Sequence, residues 1–339
     1  LVRAGIAFHA RGLINTRAIQ HNLDWVWPYW VERQFNPSDP SFIPRAFSIT
    51  HVNLTHRNWT AVARPDVAYY PIVDPRGLVT PLFDGWSLDV WLIPKNGPPL
   101  LPSRLPQVEQ ALGLDPDMRV TTTCRDRDNR LETRVALDGT RSGILELRAC
   151  GSSPGGGWLA VALRPYNPEG VRLVERIETQ GAGWLVDGKT RVDLSPPPER
   201  FLFSDYREGD VLEKVDQPEQ GPDRGSVRCT VGMATAAALF PVPPAGRCEI
   251  LAEVPLDPND GSGRAGPHEN DASPAEAWSS ARSGAARLRV PDARMRFLFE
   301  ASLRTLILLS AEDIVPGPYT YRRFWFRDAC LMIHALLNT

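Results

Sequence analysis

Proline recurs so regularly through the first 255 residues of this chain that a mainly helical fold is excluded there. The protein has 32 prolines in 339 residues, roughly 9% against a usual ~5%, and an interior proline costs a helix about 3 kcal/mol. Between the punctuating residues, from about 45 to 255, lie short apolar runs of strand length. They include Leu88 to Ile93, Leu131 to Leu137 with apolar residues at every second position, Ile144 to Leu147, Trp158 to Leu163, Val171 to Ile177 and Ile250 to Val254. Their spacing of roughly ten to fifteen residues, with Gly, Pro, Asn or Asp between, predicts a large antiparallel β-sandwich. No helical periodicity intervenes, which argues against a doubly wound α/β domain.

The pattern changes at Asp257. Residues 257–287 are rich in Gly, Ser, Pro and Ala and poor in large apolar side chains, as expected of a linker or mobile loop. Beyond it the period becomes helical: Met295, Leu298, Phe299, Leu303, Leu306 and Ile307 recur at three- and four-residue spacing. Arg296, Glu300 and Arg304 fall on one narrow polar strip, where Glu300 is expected to pair with its helical neighbours, and the helix should be covered on most other sides. After the loop Asp313–Pro318, a second apolar pattern runs from Phe326 through Ala329, Met332, Ile333, Leu336 and Leu337. The expected organisation is a sandwich over 1–256, a linker over 257–287 and a helical hairpin over 288–339. One hairpin cannot bury its own apolar faces. Because the chain opens at Leu1 without Met and stops at Thr339 directly after an apolar helix, it reads as a fragment whose missing partners are further helices.

Charge and composition narrow the function. Basic and acidic residues nearly balance, 38 to 40, for a net charge of -2, so the electrostatic footprint of a nucleic-acid binder is absent. No apolar run reaches the about 20 residues of a membrane span, and with no signal peptide visible a cytoplasmic location is expected. Five cysteines without a CxxC pair suit neither a zinc site nor a disulfide scaffold. The six histidines show no HExxH spacing, so neither a metal nor another cofactor is expected.

The informative segment is Tyr319-Thr320-Tyr321-Arg322-Arg323-Phe324-Trp325-Phe326-Arg327-Asp328, at the entry to the second helix. Sugar hydroxyls are paired donors and acceptors: an Arg fork beside a carboxylate grips two neighbouring hydroxyls, while an aromatic face covers the C–H side of the ring. The layout of sandwich, linker, apolar helix and aromatic-x-Arg-Asp step resembles the six-hairpin (α/α)6-barrel glycosidases, the glucoamylase and glycogen-debranching type. The motif resemblance covers roughly residues 290–339. It implies a supersandwich-like first domain and the first part of a truncated (α/α)6 barrel, with an oligosaccharide or polysaccharide as the bound partner. It also implies sugar-binding roles for Arg327 and Asp328, with Trp325 and Tyr321 as pocket walls. The doubled Arg322-Arg323 and Phe326 depart from the family pattern. From local chemistry alone, Asp328 is equally a helix cap with Arg327 as its partner.

Hydrolysis with inversion needs a general acid and a general base about 6.5–9.5 Å apart. In the resembled family both stand on loops after later barrel helices, so no catalytic residue is expected here and the chain alone should be inactive. Two other readings stay open: a glycoside phosphorylase of similar architecture, and a non-catalytic carbohydrate-binding or interaction sandwich. Gly151-Ser152-Ser153-Pro154-Gly155 matches the esterase G-x-S-x-G pattern. However, proline follows the serine and has no N–H to give an oxyanion hole, so Ser153 reads as a turn residue. Gly155–Gly157 opens a strand and not a helix, which removes a phosphate-binding role. The aromatic stretch Trp25–Trp30 is expected to pack between domains.

Overall fold

The computed structural model describes residues 10, 13–15, 17–33, 38, 59–65, 67, 70–139, 143–168, 170–215, 225–256, 273–310, 313–317 and 322–339. Strand outweighs helix, 38% to 22%. Seven strands form one sheet in the spatial order Thr60–Ala61, Ile72–Val73, Val79–Thr80, Ser87–Pro94, Gly157–Arg164, Thr235–Val242 and Arg200–Ser204. Nine form a second, ordered Ser226–Arg228, Arg176–Gln180, Gly183–Val186, Thr190–Ser195, Arg247–Pro255, Ile144–Ser152, Asn129–Leu137, Arg119–Asp126 and Glu109–Gly113. Neighbouring strands in both sheets run antiparallel.

Residues from both sheets share one hydrophobic core. The seven-stranded sheet supplies Leu88, Val90, Leu92, Leu159, Val161 and Leu163, and the nine-stranded sheet supplies Leu131, Val135, Leu145, Leu147, Ile250, Ala252 and Val254. The two sheets bury differently. In Asn129–Leu137 and Arg247–Pro255, buried and more exposed positions alternate, the signature of an antiparallel sheet with one wet face. Ser87–Pro94 is buried along its whole length. Its Trp91 and Ile93 join Ala160, Ala162, Ala237 and Leu239 in a second cluster on the opposite face, capped by Val26, Leu101, Val211 and Val215. Hence the central strands of the first sheet read as continuous apolar runs.

Helices among the described residues include α1 (Tyr29–Glu32), α2 (Val211–Val215), α3 (Pro274–Ala281), α4 (Ala293–Leu308) and α5 (Phe326–Leu337). α3 lies inside the stretch read as linker. Ser273 accepts from the Glu276 N–H, Glu276 reaches back to the Ser273 N–H at 2.8 Å, and Pro274 opens the first turn, which together make a capping box. Trp278 of α3 is buried and donates from Nε1 to Asp117 Oδ1 at 2.8 Å. α4 begins at the Asp292 cap, whose Oδ1 accepts from Met295 N–H at 2.9 Å. It packs one edge, through Leu308, with Trp278, Met118 and Ala63.

Several expectations need correction. Val171–Ile177 is not one strand: Gly170–Val171 pairs with Tyr166–Asn167, and Arg176–Gln180 pairs with Gly183–Val186 in the larger sheet. The chain changes sheets between them. Glu300 does not pair along its own helix. It meets Arg282 at 3.1 Å, while Arg296 donates to the Val290 and Pro291 carbonyls and Arg304 turns inward, 6% exposed. Nor is α4 covered on most sides, since Met295, Phe297 and Leu298 are exposed. Trp25 and Trp27 belong to the core shared by the two sheets and not to an interface with the helices. Ser153 does lie in a turn, its carbonyl accepting from Gly156 N–H at 3.1 Å, at the crossing from one sheet to the other.

Among the described residues, no helix is long and apolar enough to cross a membrane.

Candidate functional site

Arg327 and Asp328 open α5. Trp325 caps the helix through its backbone in extended conformation, its carbonyl accepting from Ala329 N–H at 2.8 Å, and its side chain makes no capping bond. Asp328 therefore is not the cap residue. It occupies the first turn, where the exposed amides and the helix dipole favour a carboxylate.

Arg327 reaches back to this carboxylate, with Nη2 3.4 Å from both Oδ1 and Oδ2. The Arg327 side chain is 85% exposed and the Asp328 side chain 30%. Trp325 is about half exposed, and Phe324 and Phe326 are exposed beside it. The patch thus offers five guanidinium donors, a carboxylate and aromatic faces on one helix start, the inventory that grips vicinal hydroxyls. Tyr321, the remaining expected pocket residue, lies outside the described residues.

Of the doubled arginines, Arg322 is directed elsewhere. Its guanidinium sits 5.5 Å from the ring centres of both Tyr70 and Phe83, which lays the segment entering α5 on the first sheet's domain. Tyr70 also donates from its hydroxyl to the Leu308 carbonyl at the end of α4. The patch is held near the β domain by two aromatic side chains that the sequence pattern did not single out.

Other titratable groups are buried for structural reasons. Asp74 Oδ1 accepts from the Arg76 and Leu78 amides at 2.7 and 3.0 Å, closing a turn in which Gly77 adopts φ +90°. Burial pushes the Asp74 carboxyl up to about 7. Asp89 accepts from Trp91 Nε1 at 2.8 Å and from Val90 N–H at 2.9 Å, and burial raises it to about 6. Neither carboxyl faces solvent or the α5 patch. Asp138, Glu146 and Glu253 bring oxygens within 4.8 Å of one another, the one grouping with metal-ligand chemistry among the described residues. Glu146 is already held by Arg148 at 2.9 Å.

No family model and no curated protein matches this sequence. In structure the chain is similar to the 4-alpha-glucanotransferase from Thermococcus litoralis, with a TM-score of 0.34 and 11% identity over 61% of this chain and 39% of that one. It is also similar to a protein from the human microbiome assigned as a kojibiose phosphorylase, with a TM-score of 0.31 and 8% identity over 84% of this chain and 31% of that one. The chain spans less than two-fifths of the length of either protein.

Proposed function

We propose that this chain is the N-terminal portion of a glycoside hydrolase acting with inversion on an α-glucan or related oligosaccharide. In this reading residues 1–256 form a supersandwich-like domain, 257–287 a connection and 288–339 the first hairpin of an (α/α)6 catalytic barrel. The reading is carried by one observation: Arg327 and Asp328 stand together at the start of α5 beside half-exposed Trp325. Arg327 and Asp328 bind neighbouring hydroxyls of the terminal sugar and Trp325 covers its apolar face. Tyr321 completes the wall. The general acid and base come from later barrel helices, which also cover the apolar sides of α4 and α5.

The test is made on the protein translated from the continuing reading frame, assayed on linear malto-oligosaccharides with and without phosphate. Hydrolysis independent of phosphate is expected, with Arg327→Ala and Asp328→Asn each lowering kcat/KM by about 100-fold or more, the loss of a charge-assisted contact to a bound polar group. Turnover that requires phosphate and releases a sugar phosphate would instead make the enzyme a phosphorylase. Carboxylate-dependent glucosidase turnover by the 339-residue chain itself would overturn the assignment of acid and base outside it.

A further inference from the structure

Between the loop at Asp115, helix α3 and the inner edge of α4 lies a cavity of about 390 Å³, and its polar lining is dominated by arginine. Three guanidinium groups, Arg282, Arg287 and Arg304, face a single lining carboxylate, Asp115. Arg304 is 6% exposed, and a buried cation without a partner costs several kcal/mol. Its guanidinium carbon lies 4.5 Å from the Trp278 ring centre, so one face of the group is occupied by the indole. The edge is not: Nε and Nη1 are buried and make no hydrogen bond. Among the described residues, no carboxylate lies within ion-pair reach of it. Glu300 is taken by Arg282, whose own Nε is likewise buried without an acceptor. Asp117, the next acid, spends Oδ1 on Trp278 and on the Met118 amide, while its Oδ2 is buried and makes no hydrogen bond to Arg304 or any other group. Burial and then the neighbouring Arg282 charge disfavour the protonated Arg304, while Glu300, Asp117 and Asp115 favour it from a distance; arginine does not give up its proton in proteins. The charge stays, and two of its buried N–H groups have no acceptor.

We infer that this cavity binds a phosphate-bearing small molecule, with Arg304 as the buried anchor and Arg282 and Arg287 closing on the same anion. A phosphate monoester carries close to two negative charges and three strong acceptors, which suits a cavity lined by three arginines and Asp115, with Arg282 alone of the three also paired to Glu300. A stacked guanidinium with its plane already fixed loses little freedom on accepting a planar or tetrahedral oxyanion. The cavity exceeds the volume of the anion alone, leaving room for the organic part of the ligand beside Ser279 and the Trp278 edge. The site is separate from the Arg327–Asp328 patch, and its existence does not depend on the sugar-binding reading.

The test is thermal denaturation and calorimetric titration of the protein with inorganic phosphate and glucose 1-phosphate, against acetate and chloride at matched ionic strength. Both phosphates are expected to raise Tm at about 10 mM, because a ligand bound by the native state alone stabilises it by mass action, and the monoester is expected to bind more tightly. Arg304→Met should weaken phosphate binding at least tenfold and Arg287→Gln, at the rim, severalfold. Equal shifts with acetate or chloride, no shift at all, or undiminished binding by either variant would overturn the proposal. If Arg304→Met does not fold, Arg287→Gln decides alone, since its affinity must fall.

Discussion

Arg164 donates from Nη1 to Asp210 Oδ1 at 2.7 Å, and neither side chain touches solvent. The pair is fully furnished with partners. Arg164 also donates to Tyr166 Oη, Thr235 Oγ1 and the Val26 carbonyl, and Asp210 accepts from the Val26 and Leu212 amides. Removing one member strands a charge in the core. Arg164→Leu or Asp210→Leu alone is expected to cost about 3–5 kcal/mol, and the double replacement less than the two combined. Urea denaturation of the three variants measures this; additive losses would contradict it.

Asp74 gives stability an unusual pH sign. Its folded-state pKa, near 7, stands above the ordinary 3.8, so between these values the folded state holds a proton that the unfolded chain has released. Its contribution is fully present below about pH 4 and is lost as the pH rises through 7, on the order of 4 kcal/mol across the window. Asp74→Asn keeps an acceptor for the Arg76 and Leu78 amides without a charge. At pH 8 that variant is expected to be more stable than the parent, at pH 5 by a smaller margin, and the two are expected to converge below about pH 4, as read from denaturation midpoints.

Gly157 opens a central strand at φ +147°, and a Cβ there would lie 2.1 Å from the Ile93 carbonyl oxygen. Gly97 also has a positive φ, +108°, but open space around it. Gly157→Ala is expected to cost more than about 3 kcal/mol, through backbone strain plus displacement of the Ser87–Pro94 partner strand. Gly97→Ala carries the strain alone, about 1–2 kcal/mol. Comparable losses at the two sites would show that the contact with Ile93 is not limiting.

The Arg327–Asp328 pair should matter little for folding. Exposed pairs at such distances contribute at most about 1 kcal/mol, so Arg327→Ala and Asp328→Asn are expected to leave the denaturation midpoint almost unmoved. A large destabilisation by either would point to a structural role.

Strands buried on both faces were the most legible part of the fold. Leu88–Ile93 and Trp158–Leu163 are continuous apolar runs because clusters cover both sides of the first sheet. Val171–Ile177 misled, because an apolar run does not show that the chain leaves one sheet and enters another within it. α3 was hidden by a small-residue composition, although Ser273, Pro274 and Glu276 spell its start in the sequence. The polar strip on α4 misled for another reason: helical periodicity placed Arg304 with Arg296, and only the tertiary position of Trp278 reveals that Arg304 is drawn inward. Of the candidate site, the Arg-Asp step was readable from neighbours in sequence. Its support by Tyr70 and Phe83, some 240 residues away in the chain, was not.

The contact of Val26 with Asp210 and Arg164 also bears on the order in which the domain is made. Val26 N–H donates to an acceptor 184 residues downstream, and the Gly157–Arg164 strand completes its pairing only with Thr235–Val242. During synthesis the early tryptophans Trp25 and Trp27 therefore wait, without their native cover, until roughly three-quarters of the chain has left the ribosome. Such distant closures fold slowly, and the apolar faces of both tryptophans stay uncovered during that interval.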